Sequence, residues 1–317
     1  MMISPKKTGC FSFVFAILVI AEFISLPARA DSFIDDKLRR LVYTLTSGKS
    51  PDKMLQIQRP ALLRAFYEKN QFTLQWYSLP GDTSKRKAWC IVVRDAWKYV
   101  LKPASYHFSQ LEEINRNIHL RTKDDTLAGE LIFTDAALSF LHDVAYGEGP
   151  PYLRYNGISY TPDCFDLISF LQLAIEKNSF EQSISSIEPN GNKYLALKAE
   201  YLRLHTITQQ PGFHEIMVPD KDLKWSNQNL VMKLRQLEYM ADTDSTEDQL
   251  LKSLKKLQSA HNLLGQPEIN IYCSAILNEP ISKKLQKLEW NIQWFRWLNC
   301  IQNLYSGQYR CQSFMVL

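Results

Sequence analysis

A chain of 317 residues, 45% hydrophobic and 22% charged, carries enough apolar surface for a full core and has room for one to three domains, which excludes intrinsic disorder. Its formal charge is only +4, and no Lys/Arg block alternates with aromatic residues, so a nucleic-acid surface is excluded. No apolar run after residue 30 approaches the roughly 20 residues of a membrane span.

The first thirty residues place Lys6 and Lys7 ahead of an apolar run from Phe11 to Ile24, followed by Ala28-Arg29-Ala30. This is the layout of a secretory signal peptide, with cleavage expected after Ala30 and a periplasmic mature protein. Cys10 precedes the apolar run, so it is not the acylated cysteine of a bacterial lipoprotein, which follows such a run. Loss of residues 1–30 removes three cations (Lys6, Lys7, Arg29) and one anion (Glu22), leaving a formal charge of +2.

Helical periodicity dominates the chain beyond residue 30 and predicts a mainly α fold. LRRLVYTL (38–45) reads as helix. The SGKS that comes after it, at 47–50, is therefore not a phosphate-binding loop, whose earlier glycine position is Tyr43 here. Thr134 before Asp135-Ala136-Ala137-Leu138 reads as a helix start, with Leu138, Leu141 and Val144 or Ala145 inward and GEGPP (147–151) as the stop. Asp163 is placed as the N-cap of the next helix, along which Cys164, Ile168, Leu171 and Ile175 fall in phase, so Cys164 reads as a small buried hydrophobe. Tyr194, Leu197, Tyr201 and Leu204 make another helix face. Between Thr208 and Trp225 the phase breaks, and Phe213 to Val218 is at most a short extended segment.

The polar run ADTDSTEDQ (241–249) marks a boundary. Beyond it Leu250, Leu254 and Leu257 form a helix face, HNLLGQPE (261–268) turns the chain, and CSAILN (273–278) leads to Pro280 in the first turn of a last long helix. That helix has two stripes: Ile281, Leu285, Leu288, Ile292 and Phe295 on one side, and Trp290, Trp294 and Trp297 on the other. A helix apolar on opposite sides is sandwiched between layers, supplied either by earlier helices of the chain or by something docked against it.

Chemistry-bearing patterns are absent. The six histidines contain no HxxxH pair, and His142 reads as solvent-facing or hydrogen-bonded rather than a metal ligand. Glu112-Glu113 and Asp124-Asp125 are neighbours whose side chains diverge on a helix, so they read as solvated and a lytic glycosidase is disfavoured. There is no GxSxG elbow and no cysteine in a Gly-rich turn beside a histidine. Five cysteines remain after cleavage, an odd and scattered set without CxxC, so neither a disulfide framework nor a zinc site is signalled and at most two pairs can form. No catalytic residue, cofactor or metal is expected.

Several stretches taken in order resemble the large periplasmic L,D-transpeptidases that cross-link peptidoglycan, in the region ahead of their catalytic domain. LLRAFYEKNQFTLQW (62–76) resembles the family's FY-then-W segment, and LKPASY (101–106) its GLxPxxY turn, with Val100 where glycine is usual. ELIFTDAALSFLHDVAYG (130–147) is similar to DLxLTxAxLxYAxDLxxG, IEPNGNKYLALKAEY (187–201) to LxPxxPxYxxLRxALxxY, and NLVMKLRQLEYM (229–240) to VxxLRxRLxxxGD. His261–Asn278 aligns without a gap on the family's three-helix peptidoglycan-binding-like module, with His261, Leu263, Ile269, Leu277 and Asn278 agreeing within it and Leu257-Gln258 just before it. Asn262, Gln266, Pro267, Asn270 and Cys273 replace its turn residues and threonine, so the module keeps its apolar skeleton and loses the turn chemistry. The last helix resembles RxxQIxxNLERxRWL, which in the family leads into a YkuD-like catalytic domain.

The resemblance implies a helical scaffold domain over 31–241, the small module over 242–279, a helix returning to the scaffold over 280–298, and a truncated opening of a catalytic domain over 299–317. The His-Gly-Thr and Ser-His-Gly-Cys-x-Arg sets of that domain do not occur in these residues. It therefore implies a wall- or partner-binding protein whose partner is peptidoglycan or a catalytic L,D-transpeptidase domain. In the alternative it implies one half of a 3-3 cross-linking enzyme whose catalytic domain is encoded separately or lost. Trp290, Trp294 and Trp297 are then the face left for the missing domain. A helical periplasmic chaperone or adaptor is a third possibility, drawn from the helical pattern alone.

Overall fold

The computed structural model describes residues 32–47, 55–79, 81–116, 122–149, 163–218, 228–244, 246–263 and 271–300. Among them there are helices and no strand, as the periodicity predicts. In chain order these are α1 (Ser32–Thr46), α2 (Pro60–Lys69), α3 (Ser84–Arg94), α4 (Phe108–Arg116), α5 (Lys123–Tyr146), α6 (Leu167–Lys177), α7 (Phe180–Ile187), α8 (Asn192–Thr208), α9 (Gln228–Gln236), α10 (Glu247–Ala260), α11 (Ile271–Asn278) and α12 (Ile281–Trp297). Short 3-10 turns at Ala96–Tyr99 and Pro103–Tyr106 join α3 to α4.

The fold is built around α5, whose apolar residues are not confined to one stripe. From Leu127 to Tyr146 almost every side chain is buried, because α2, α4, α6, α7 and α12 pack around it. It starts earlier than Thr134: the Thr122 hydroxyl accepts the Asp125 N–H, and the Asp125 carboxylate accepts the Thr122 N–H, a reciprocal cap. Thr134 and Asp135 instead sit mid-helix as buried polar hubs. The Asp135 carboxylate, fully buried, accepts the backbone N–H groups of Gln58 and Arg59 at 3.0–3.1 Å and lies 2.9 Å from His107 Nε2. The Thr134 hydroxyl accepts Trp76 Nε1 at 3.0 Å and shares a hydrogen with the Tyr67 hydroxyl at 2.8 Å. Polar residues that signal a cap from sequence here fasten the 55–76 segment to the central helix.

Two other expectations are corrected. The N-cap of α6 is Asp166, whose carboxylate accepts the Ser169 N–H at 3.0 Å, and not Asp163. Cys164 precedes the helix and is bonded to Cys300, with Cα atoms 5.6 Å apart across 136 residues of sequence. No spacing rule reveals a pair so distant. Cys90 and Cys273 are buried thiols.

A second core lies beyond α7. Leu250, Leu254 and Leu257 of α10 are buried, with Leu277 of α11, against Leu230 and Leu234 of α9, the end of α8 and Ile281 of α12. Phe213–Val218 forms no strand; the Asn278 carboxamide satisfies both the N–H and the C=O of Val218, each at 2.8 Å. Glu215 ties the same region to α12, accepting the Ile281 N–H at 2.6 Å and the ammonium of the wholly buried Lys233 at 2.8 Å. A third cluster, Val100, Tyr194, Tyr201 and Ile292, seals α8 to α12. Val100 sits in the left-handed region at φ 54°, so the position where the resemblance asks for glycine does carry a glycine-type backbone.

Candidate functional site

The site is built on α12. Its inner stripe behaves as the spacing predicts: Ile281 and Ile292 are fully buried, and Leu285, Leu288 and Phe295 are half-buried, against α8 and the second core. The opposite stripe divides. Trp297 is covered, 7% exposed, whereas Trp290 and Trp294 stand 63% and 47% exposed. The three rings form one cluster, with both outer indoles edge-on to Trp297 at centroid distances of 6.3 and 5.9 Å.

What holds this cluster is the C-terminal end of α12, where the anchors converge. Arg296, on the polar flank in a helical projection, is completely buried; its Nη2 donates to the Tyr99 carbonyl and, at 3.2 Å, to the Tyr194 hydroxyl, with Glu188 3.9 Å away. Burial works against its charge, but Tyr194 and Glu188 outweigh burial and raise the guanidinium pKa. Asn299 donates to the carbonyls of Ala145 at 3.1 Å and Ile187 at 3.0 Å, and Cys300 closes the disulfide. Gly147, at φ +83°, permits the close approach: a Cβ there would lie 2.8 Å from Gln293 Oε1 and from Cδ1 and Nε1 of Trp297. The exposed indoles therefore project from a fixed base.

Beside Trp290 lies a cleft of about 310 Å3, lined by Glu148, Lys102, Tyr201, Gln286, Glu289, Gln293 and the rings of Trp290 and Trp297. Gln293 accepts the Glu148 N–H at 2.9 Å, and the Tyr201 hydroxyl donates to Glu289 at 3.4 Å. Surrounding protein, then the charge of Asp143, raises the Glu148 carboxyl above its ordinary range. Burial, then Glu289, pushes the Tyr201 phenol up to about 12. The cleft thus presents two carboxylates, two carboxamides, an ammonium and a phenol around aromatic surface.

Among the described residues, those shared with the peptidoglycan-binding-like module do not gather at one surface. Gln258 is buried, its carboxamide against the Cys273 thiol at 3.7 Å. Asn278 clamps Val218. His261 ends α10, and burial, then Lys284, lowers its imidazole pKa. Leu263 is half-buried, and Ile269 lies outside the described residues. Among the described residues no cluster of His, Cys, Asp and Glu could hold a metal ion, and no helix is long and apolar enough to cross a membrane. The His142 ring contacts the Asp143 carboxylate at 3.0 Å.

The tryptophans were legible as a stripe. Glu148 and Lys102, which complete the cleft from the end of α5 and the turn after Tyr99, were not, because nothing in sequence links them to α12. No curated protein matches the chain. Residues 61–200, from α2 into α8, match the family model described as a scaffold domain, which is the scaffold domain of L,D-transpeptidase-like proteins.

Proposed function

We propose that this chain is a secreted cell-wall protein, the non-catalytic scaffold of an L,D-transpeptidase-type system, acting through contact between its α12 face and peptidoglycan. The observation that carries this reading is the pair of indoles, Trp290 and Trp294, held exposed on a helix locked to a core that bears the scaffold-domain match. Exposed aromatic clusters on a rigid support mark interaction sites. The leader-like first thirty residues and the Cys164–Cys300 bond support an oxidising compartment outside the cytosol. The mature chain, 31–317, is expected to pellet with purified peptidoglycan sacculi, and Trp290→Ala/Trp294→Ala to leave most of it in the supernatant. Wild-type protein that stays in solution with sacculi would sink the wall contact.

The same ridge supports a second reading, in which the scaffold seats a catalytic L,D-transpeptidase domain supplied by another chain. Co-elution of the mature protein with a purified catalytic domain, abolished by the double substitution, would favour it over direct wall contact.

A further inference from the structure

We infer, resting on that reading of the α12 face, that the cleft between α12, Glu148 and Lys102 is an oligosaccharide-binding groove, with Trp290 as the stacking platform. Gln286, Glu289, Trp290, Gln293 and Trp297 recur every three to four residues on α12 and make one continuous stripe. From residue 286 to residue 297 the helix rises about 16 Å, the length of a short oligosaccharide rather than of a single sugar ring. Opposite the stripe, the end of α5 supplies Glu148, the turn after Tyr99 supplies Lys102, and α8 supplies Tyr201.

The chemistry of the lining selects the ligand class. A pyranose ring offers a flat C–H face and a rim of hydroxyls that both donate and accept. The face matches an indole, and Trp290 is 63% exposed at the cleft, standing at 79° to the covered Trp297 ring. The rim matches all three kinds of polar side chain: the carboxylates of Glu289 and Glu148 accept, the carboxamides of Gln286 and Gln293 do both, and the Lys102 ammonium donates. Gln293 Oε1 is engaged by the Glu148 N–H, which leaves its amide hydrogens to donate and fixes the side chain beforehand. Tyr201 likewise fixes Glu289. A surface meant for a protein partner has an aromatic centre depleted in charge, with charges at its rim. Here the charged and amide groups line the same cleft as the indole, which favours a hydroxyl-rich ligand. A cationic ligand is the competing chemistry for two carboxylates beside an aromatic ring, and Lys102 within the cleft opposes it.

The test uses the mature chain and the N-acetylglucosamine tetramer, a probe with no peptide and no amine. Titration is expected to shift tryptophan emission saturably. Trp290→Ala should weaken the tetramer by about tenfold, the loss of one well-stacked ring. Glu289→Gln should also weaken the tetramer, while the melting temperature stays at the wild-type value. An unaltered spectrum at millimolar tetramer overturns the inference, as does equal affinity in Trp290→Ala. A response to tri-lysine with none to the tetramer also overturns it, in favour of a cation site. Pelleting with sacculi without any tetramer response removes the groove and leaves the wall-contact reading standing. A tetramer response without pelleting does the reverse.

Discussion

Burial holds the Glu130 carboxyl well away from its ordinary state. It is fully buried on α5, and its two carboxyl oxygens accept the backbone N–H groups of Gln75 at 2.7 Å and Trp76 at 3.0 Å, with the Tyr67 hydroxyl at 3.1 Å. Those donors favour the anion, yet burial outweighs them and raises the carboxyl pKa from 4.5 to about 7. Below pH 4.5 both folded and unfolded chains hold the proton; between 4.5 and about 7 the folded chain keeps a proton that the unfolded chain has released. Stability contributed by this group is therefore complete in acid and lost as pH rises to about 7, by on the order of 3 kcal/mol. Glu130→Gln, which cannot ionise, should flatten that part of the profile. Urea denaturation at pH 5 and pH 8 checks it, and an equal pH difference in variant and wild type would count against the buried-acid account. The same residue explains a hidden cost of the fold: the polar hub that fastens residues 75–76 to α5 does so with a carboxyl that resists ionisation.

At the scale of the element, the seating of α12 on α5 depends on Gly147. Its positive φ and the 2.8 Å approach of Trp297 and Gln293 leave no room for a side chain. Gly147→Ala should cost about 2–3 kcal/mol, combining a left-handed penalty with overpacking, and should redden tryptophan emission as Trp297 loses its cover. A melting temperature within a degree of wild type would show that α12 does not need this contact. Elements of this kind also mark what sequence could and could not reveal. The faces Leu250/Leu254/Leu257 and Ile281/Ile292 were legible because side chains buried along one line of a helix recur with a 3.6-residue period. The start of α5 was misread because a Thr-Asp pair on a fully surrounded helix imitates a cap, whereas the true cap, Thr122 with Asp125, lies twelve residues earlier. Arg296 shows the complementary limit: a projection places it on a polar flank, and only the packing of α12 against both α8 and the Tyr99 turn turns it inward. For the site, the tryptophan stripe was readable within one helix, while Glu148, Lys102 and Tyr201 reach it from three other segments, a proximity that no local pattern encodes.

For the whole molecule, the decisive link is the bond between Cys164 and Cys300, which joins the approach to α6 with the residues just past α12. Both neighbouring segments are otherwise tied by polar contacts: Asn299 to the ends of α5 and α7, and Phe165 N–H to the Tyr146 hydroxyl at 2.9 Å. The disulfide closes a loop of 136 residues that contains α6 through α12, so it constrains the unfolded chain across both the α5-centred core and the second core. In the chain-entropy treatment a loop of that size is worth about 5 kcal/mol, near the upper end for a single bridge. Cys164→Ser/Cys300→Ser is expected to lower the melting temperature by on the order of 10 °C, and reductant to lower it in the wild type but not in the double variant. Calorimetry with and without reductant measures both. Because the bridge ends at the base of the tryptophan ridge, reduction should also weaken binding at the α12 face before the protein melts, as the residues past α12 lose their covalent tie to the approach of α6. Melting without that earlier loss would mean that Arg296 and Asn299 alone suffice to hold the ridge in place.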